Sequence, residues 1–146
     1  MAEPRPLIFQ LYVTYQRSGQ LVSQALAGTG IRAEDAPLYS VLDRDGPLTP
    51  TELAKRLGIG PSTLTYRLKA LEARGVVVRR ANPDDGRSAF VQLSVYGRRR
   101  WQETIPAFAE ALRRAEGRIA MPHDEIAASL DAIAAALDEE LAARPT

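Results

Sequence analysis

The sequence predicts a mainly α-helical, α+β fold with one small β-hairpin, and three observations predict it. Apolar residues recur at helical spacing in six separate segments. One β-branched run, Val76-Val77-Val78, is answered by Phe90, Val91 and Leu93 across a turn-rich tip. The chain has 146 residues, the size of one domain, and a domain of that size buries roughly 70% of its unfolded surface without needing staples.

Taken in order, Ile8, Leu11, Tyr12, Tyr15, Val22 and Leu26 mark a first amphipathic helix, which Gly28-Thr29-Gly30 ends. Leu38, Val41 and Leu42 mark a second, closed by Asp45-Gly46-Pro47. The third has the clearest start. Thr49 is a good N-cap, Pro50 suits the first helical position and Glu52 completes a capping box. Leu53, Ala54 and Leu57 form its buried face, and Gly58-Ile59-Gly60 turns the chain. Pro61 opens a fourth helix that should run to about Arg74, where Gly75 stops it. The hairpin follows, with Asn82-Pro83-Asp84-Asp85-Gly86-Arg87 at its tip. After Tyr96-Gly97 the helical period returns through Trp101, Ile105, Phe108, Leu112, Ala115 and Ile119, and Pro106 should bend that helix or set its start later. Met121-Pro122 breaks it. Ile126, Leu130, Ile133, Leu137 and Leu141 form the last stripe.

A net charge of +1 conceals an uneven distribution. Residues 1–60 carry six basic and six acidic side chains, residues 61–100 nine against three, and residues 101–146 four against nine. Such a local cationic excess is the footprint of a polyanion-binding surface, and the acidic C-terminal part would face away from phosphate. The chain has no cysteine, which excludes disulfides, thiolate metal sites and thiol redox sensing. His123 cannot build a zinc site alone and reads as a surface or capping residue at a helix start. No apolar run is long enough to span a bilayer, and the N-terminal MAEPRPLIFQ lacks the shape of a signal peptide. The expectation is a cytoplasmic protein with no membrane segment, metal or cofactor.

The fourth helix carries the chemistry. With Leu64, Leu68 and Leu71 turned inward at about 100° per residue, Ser62, Tyr66, Lys69 and Ala73 point outward. Thr63, Thr65 and Ala70 then lie on the flanks, and Arg67 sits nearer the core edge. Hydroxyls meet phosphates or base edges, Lys reaches guanine acceptors, and Thr or Tyr touches a thymine methyl. A helix-turn-helix followed by an arginine-tipped hairpin is a winged arrangement, in which the helix reads one groove of double-stranded DNA and the hairpin grips the next. Ser62, Thr63, Thr65, Tyr66 and Lys69 are assigned to the major groove and Arg87 to the minor groove. Thr49, Thr51, Arg67, Arg79 and Arg80 are assigned to positioning the DNA backbone. Asp85 is assigned to holding the hairpin, through backbone turns or by pairing with an arginine. A solvated surface helix and an ordinary charged hairpin are the competing readings.

These residues resemble the MarR family of winged-helix repressors. The likeness is carried by Leu48-Thr49, Glu52-Leu53-Ala54, Leu71-Glu72, Gly75, Val77, Arg79, Asp85, Arg87 and Leu93-Ser94 as a set. It implies a winged helix-turn-helix lobe at 35–97 and a helical dimerisation region at 1–30 and 98–146, within one domain of residues 1–146. It also implies a homodimer on a palindromic operator, acting as a repressor and released by a small aromatic or anionic effector. The pocket so implied lies between the dimer helices and the DNA lobe. Tyr12, Tyr15, Arg17, Tyr39 and Trp101 are its candidates, with Arg17 meeting an anion; ordinary core packing is the competing reading for them. The family often has arginine where Tyr66 and Gly86 stand, so base preference and hairpin contacts should differ here.

Two rival functions remain. One is a winged-helix module that binds protein without specific DNA binding, which the cationic excess of residues 61–100 argues against. The other is an enzyme, but no motif links His123 to a nucleophile, and Gly58-Ile59-Gly60 lacks the lysine of a phosphate loop.

Overall fold

A computed structural model describes residues 5–143. Residues 1–4, on which the signal-peptide expectation partly falls, and residues 144–146 lie outside it. The chain divides into two compact units, residues 1–112 and 113–146.

The first unit holds α1 (Leu7–Ala25), α2 (Ala36–Asp45), α3 (Pro50–Leu57), α4 (Pro61–Ala73), β1 (Val77–Ala81), β2 (Ala89–Leu93) and most of α5 (Val95–Glu116). The capping box at α3 is fully formed: the Glu52 N–H donates to Thr49 Oγ1 at 3.3 Å, and the Thr49 N–H to Glu52 Oε2 at 2.9 Å. Gly58 ends α3 at φ +63°, a left-handed conformation that a side chain would strain, and so lets α4 set off in a new direction. β1 and β2 pair antiparallel, with Val77 opposite Leu93 and Arg79 opposite Val91. Leu48, just before α3, exchanges two backbone hydrogen bonds with Val91, at 3.0 and 2.7 Å, and so anchors the hairpin to the helix-turn-helix.

The core of this unit is one cluster. Leu38, Tyr39 and Leu42 of α2, Leu53 of α3, and Leu64, Leu68 and Leu71 of α4 are all buried in it, with Val76, Val77 and Val91 closing the hairpin side. The inward stripes predicted for α3 and α4 are those that pack there. Each such side chain removed from water stabilises the fold by about 1.5–3 kcal/mol.

α5 begins two residues before Gly97 and runs through Pro106 without interruption. Ser94 provides its start: its Oγ accepts the Gly97 N–H at 2.9 Å and donates to the Gly75 carbonyl at 2.6 Å. Gly97 is buried because the backbone of Val76 lies directly against its Cα.

In the second unit, α6 (His123–Ala143) opens with Asp124 and Glu125, whose charge suits a helix N-terminus. Leu130, Leu137 and Leu141 on this helix are exposed, as are Ile119 and Met121 before it. Among the described residues, no helix is long and apolar enough to cross a membrane.

Candidate nucleic-acid interface

The burial of Leu64, Leu68 and Leu71 decides which face α4 shows to solvent. Ser62, Thr63, Thr65, Tyr66 and Lys69 are all exposed, Tyr66 by 73%. Thr65 Oγ1 donates to the Pro61 carbonyl at 2.8 Å and keeps its acceptor sites. Tyr66 and Lys69 make no side-chain hydrogen bond or ion pair among the described residues. Gly60 supplies no side-chain cap, so the first amides of α4 stay available to an anion.

The hairpin tip is held by its own polar groups. Asp85 Oδ1 accepts the Arg87 N–H at 3.0 Å, and the Asp85 carbonyl accepts the Ser88 N–H at 3.2 Å. Asn82 accepts the Asp84 N–H at 3.0 Å and donates to Ser88 Oγ at 2.9 Å. Arg87 is left exposed, its guanidinium without a hydrogen bond or ion pair among the described residues, and Arg80 is in the same condition. Arg79 is not: its Nε pairs with Glu72 Oε1 at 2.5 Å, joining β1 to α4.

Arg67 likewise turns inward, donating to the Glu34 carbonyl at 2.7 Å. Thr49 is committed to the capping box, whereas Thr51 is exposed. The backbone-positioning group therefore contains two free members, Thr51 and Arg80, and three that first serve the fold.

The aromatic set expected to share a pocket is not brought together. Tyr39 and Trp101 stack in the core, ring centroids 5.5 Å apart, with Phe108 tilted onto Trp101 at 5.6 Å. Burial raises the Tyr39 phenol above its ordinary value. Tyr12 and Arg17 are exposed. Tyr15 does line a cavity of about 710 Å³, with Ser18, Ser40, Glu34, Arg67 and Phe108 among its other walls. No local pattern announces that cavity, because its residues come from α1, α2, α3, α4, α5 and the connecting loops.

A second polar assembly went unread in the sequence. Asp35 is fully buried ahead of α2 but makes no cap hydrogen bond to it. Its Oδ2 instead accepts from Arg32 Nε at 3.1 Å and Arg74 Nη1 at 3.4 Å, while Arg74 Nη2 donates to the Gly30 carbonyl at 2.9 Å. The hydrogen bond and charge of Asp35 raise the Arg32 guanidinium above its ordinary value. Elsewhere, Thr49 holds Glu52 below the usual carboxylate range through its backbone N–H and hydroxyl, and Arg44 does the same for Asp45. Among the described residues, no cluster of three or more His, Asp or Glu side chains could hold a metal ion, and His123 is an exposed first residue of α6.

A sequence model of the MarR family matches residues 38–88. The HTH-type transcriptional repressor Rv2887 of Mycobacterium tuberculosis is 30% identical over 115 residues, 79% of this chain and 79% of its own. The chain belongs to the MarR family. The HTH-type transcriptional regulator YdgJ of Bacillus subtilis is 35% identical over 74 residues, 51% of this chain and 45% of its own length, so the chain spans under half of that relative. The M. tuberculosis regulator MosR, solved in complex with DNA, has the same fold at a TM-score of 0.82 and 20% identity, over 92% of this chain and 98% of that one. In this MarR-family chain, α3 and α4 are the helix-turn-helix and β1–β2 the wing.

Proposed function

We propose that the chain is a sequence-specific, double-stranded-DNA-binding transcriptional repressor that acts as a homodimer on a palindromic operator. The observation that carries this is the pairing state of the cations and polar groups. Tyr66 and Lys69 on the solvent face of α4, and Arg80 and Arg87 on the wing, are exposed and uncommitted, while neighbouring Arg67, Arg74 and Arg79 are spent within the fold. Side chains left in this state are free to meet bases and phosphates. α4 would enter the major groove, Arg87 the minor groove, and Thr51 and Arg80 would lie along the backbone.

The repressor role is supported by the likeness to the transcriptional repressor Rv2887, and the DNA partner by the likeness in fold to MosR, solved with DNA. Homodimerisation through residues 1–30 and 98–146 is supported by apolar side chains left in solvent in each unit. Leu7, Ile8 and Phe9 are exposed on α1, and Leu130, Leu137 and Leu141 on α6. The cavity walled by Tyr15, Ser18, Arg67 and Phe108 is roomy enough for a small aromatic or anionic effector.

Selection of bound sites from random duplexes, followed by titration of the winner against salt, tests the proposal. A dimer neutralising ~6–10 phosphates should lose on the order of 10³–10⁵ in affinity between 50 and 200 mM salt. Failure to enrich any sequence would favour a protein-binding module.

A further inference from the structure

We infer that Asp35 is a positioning residue for DNA reading: its buried carboxylate, gripping Arg74 at the end of α4 and Arg32 beside it, sets the angle at which α4 meets the groove. The inference rests on the DNA-reading role proposed above.

The geometry asks for an explanation beyond helix capping. An aspartate at the N-cap of α2 would ordinarily turn its carboxylate onto that helix's amides. Asp35 makes no such bond. It is fully buried, its Oδ1 has no partner among the described residues, and its Oδ2 goes to two guanidiniums. Burying a carboxylate with one oxygen unsatisfied is costly, so the group is held there by its two arginines.

The attachment is made to one helix at two heights. Residues 30–35 run beside α4, and Arg67 binds the Glu34 carbonyl near its middle. Arg74, the C-cap, binds Asp35 and the Gly30 carbonyl at its end. Arg100 of α5 donates to the Thr29 carbonyl and steadies the same turn. Arg74 lies seven residues beyond Arg67, about 10 Å along the helix. Releasing the Arg74 end and allowing a tilt of about 10° about the Arg67 attachment would swing that end by about 2 Å, move Ser62 at the other end by about 1 Å, and turn the groove-facing side chains of Tyr66 and Lys69 through the same angle. Base contacts depend on hydrogen-bond distances that tolerate far less.

The test separates positioning from electrostatics, because the two predict opposite signs. Asp35→Asn keeps the side-chain shape but removes a negative charge. Electrostatics alone makes it bind every duplex slightly more tightly. Positioning makes it bind the selected operator about tenfold more weakly, with random-duplex affinity unchanged or slightly raised. Arg74→Lys, which retains charge at a half-exposed site and loses the planar two-pronged grip, should lower the ratio of operator to random affinity several-fold. The double variant should lose less than the two single losses combined, since both changes cut the Asp35–Arg74 linkage and only the Arg74–Gly30 bond is cut separately. Melting curves on the full chain establish that each variant is folded, and Arg74→Lys carries the test if Asp35→Asn does not fold. An unchanged operator-to-random ratio in the folded variants, with the unmodified chain selecting a clear site, overturns the inference alone. An unmodified chain that selects no site overturns the DNA-reading role and the inference together.

Discussion

Gly97→Ala tests the junction between wing and helix most sharply. A Cβ at this position would lie inside contact distance of the Val76 carbonyl oxygen, 3.0 Å from the Val76 carbonyl carbon and 3.2 Å from its Cγ1. The obstacle is backbone, so no rotamer change relieves it. The start of α5 must move away from the strand by roughly an ångström or more, as overpacked cores do. That motion stretches the Ser94 N–H bond to the Val76 carbonyl, now 2.9 Å, and disturbs the Gly97 N–H bond to Ser94 Oγ, also 2.9 Å. Overpacking costs ~1–3 kcal/mol, and each weakened hydrogen bond about 1 kcal/mol. The sum is on the order of 3–5 kcal/mol, or about 10–15 °C in melting temperature for a chain of this size. Gly86→Ala is the matched control: its φ is not positive and a Cβ there meets nothing within 4 Å. It should change stability by no more than about 1 kcal/mol, in the favourable direction if at all. Thermal unfolding of the three proteins side by side gives the answer. Equal melting temperatures for Gly97→Ala and the unmodified chain would refute the close-approach argument.

Other outcomes follow from the same geometry. Glu52 has its carboxyl pKa lowered by the capping box, so its stabilisation is present above the ordinary glutamate value of about 4.3 and is lost as pH falls through the lowered folded value. Glu52→Gln should therefore melt lower at neutral pH and lose less on acidification; parallel melting-temperature profiles against pH would contradict this. Leu68→Ala removes a side chain 1% exposed and should cost about 2–5 kcal/mol in urea unfolding, so a loss below 1 kcal/mol would mean that the α4 stripe packs loosely. Under the proposed function, Arg87→Ala should weaken binding to all duplexes alike and reduce the salt slope by about one per contacting protomer. Lys69→Ala should instead re-rank operator variants in a competition assay.

Much of the helix-turn-helix was legible because its signals are local. Thr49, Pro50 and Glu52 specify a helix start within four residues, and the spacing of Leu64, Leu68 and Leu71 specifies which face of α4 turns inward. The start of α5 was less legible. Gly97 looked like a boundary, yet it lies inside the helix, since its role is to admit the Val76 backbone from a distant part of the chain. Pro106 offered a bend or a later start, and the helix begins ahead of it at Val95 and continues through it.

The order of residues along the chain was thus enough for the number and kind of elements, the inward faces of α3 and α4, and the concentration of positive charge in residues 61–100. Those follow from periodicity, capping and composition, which act over a few neighbouring residues. Which cations are spent and which are free depends on the packed fold. Arg67, Arg74 and Arg79 find acceptors at Glu34, Asp35 and Glu72, whereas Lys69 and Arg87 find none among the described residues. It also drew Tyr39 and Trp101 into the core and placed Tyr15 on the wall of the 710 Å³ cavity. An ion pair or a buried ring depends on which residues the fold brings within a few ångströms, and one-dimensional order does not carry that distance.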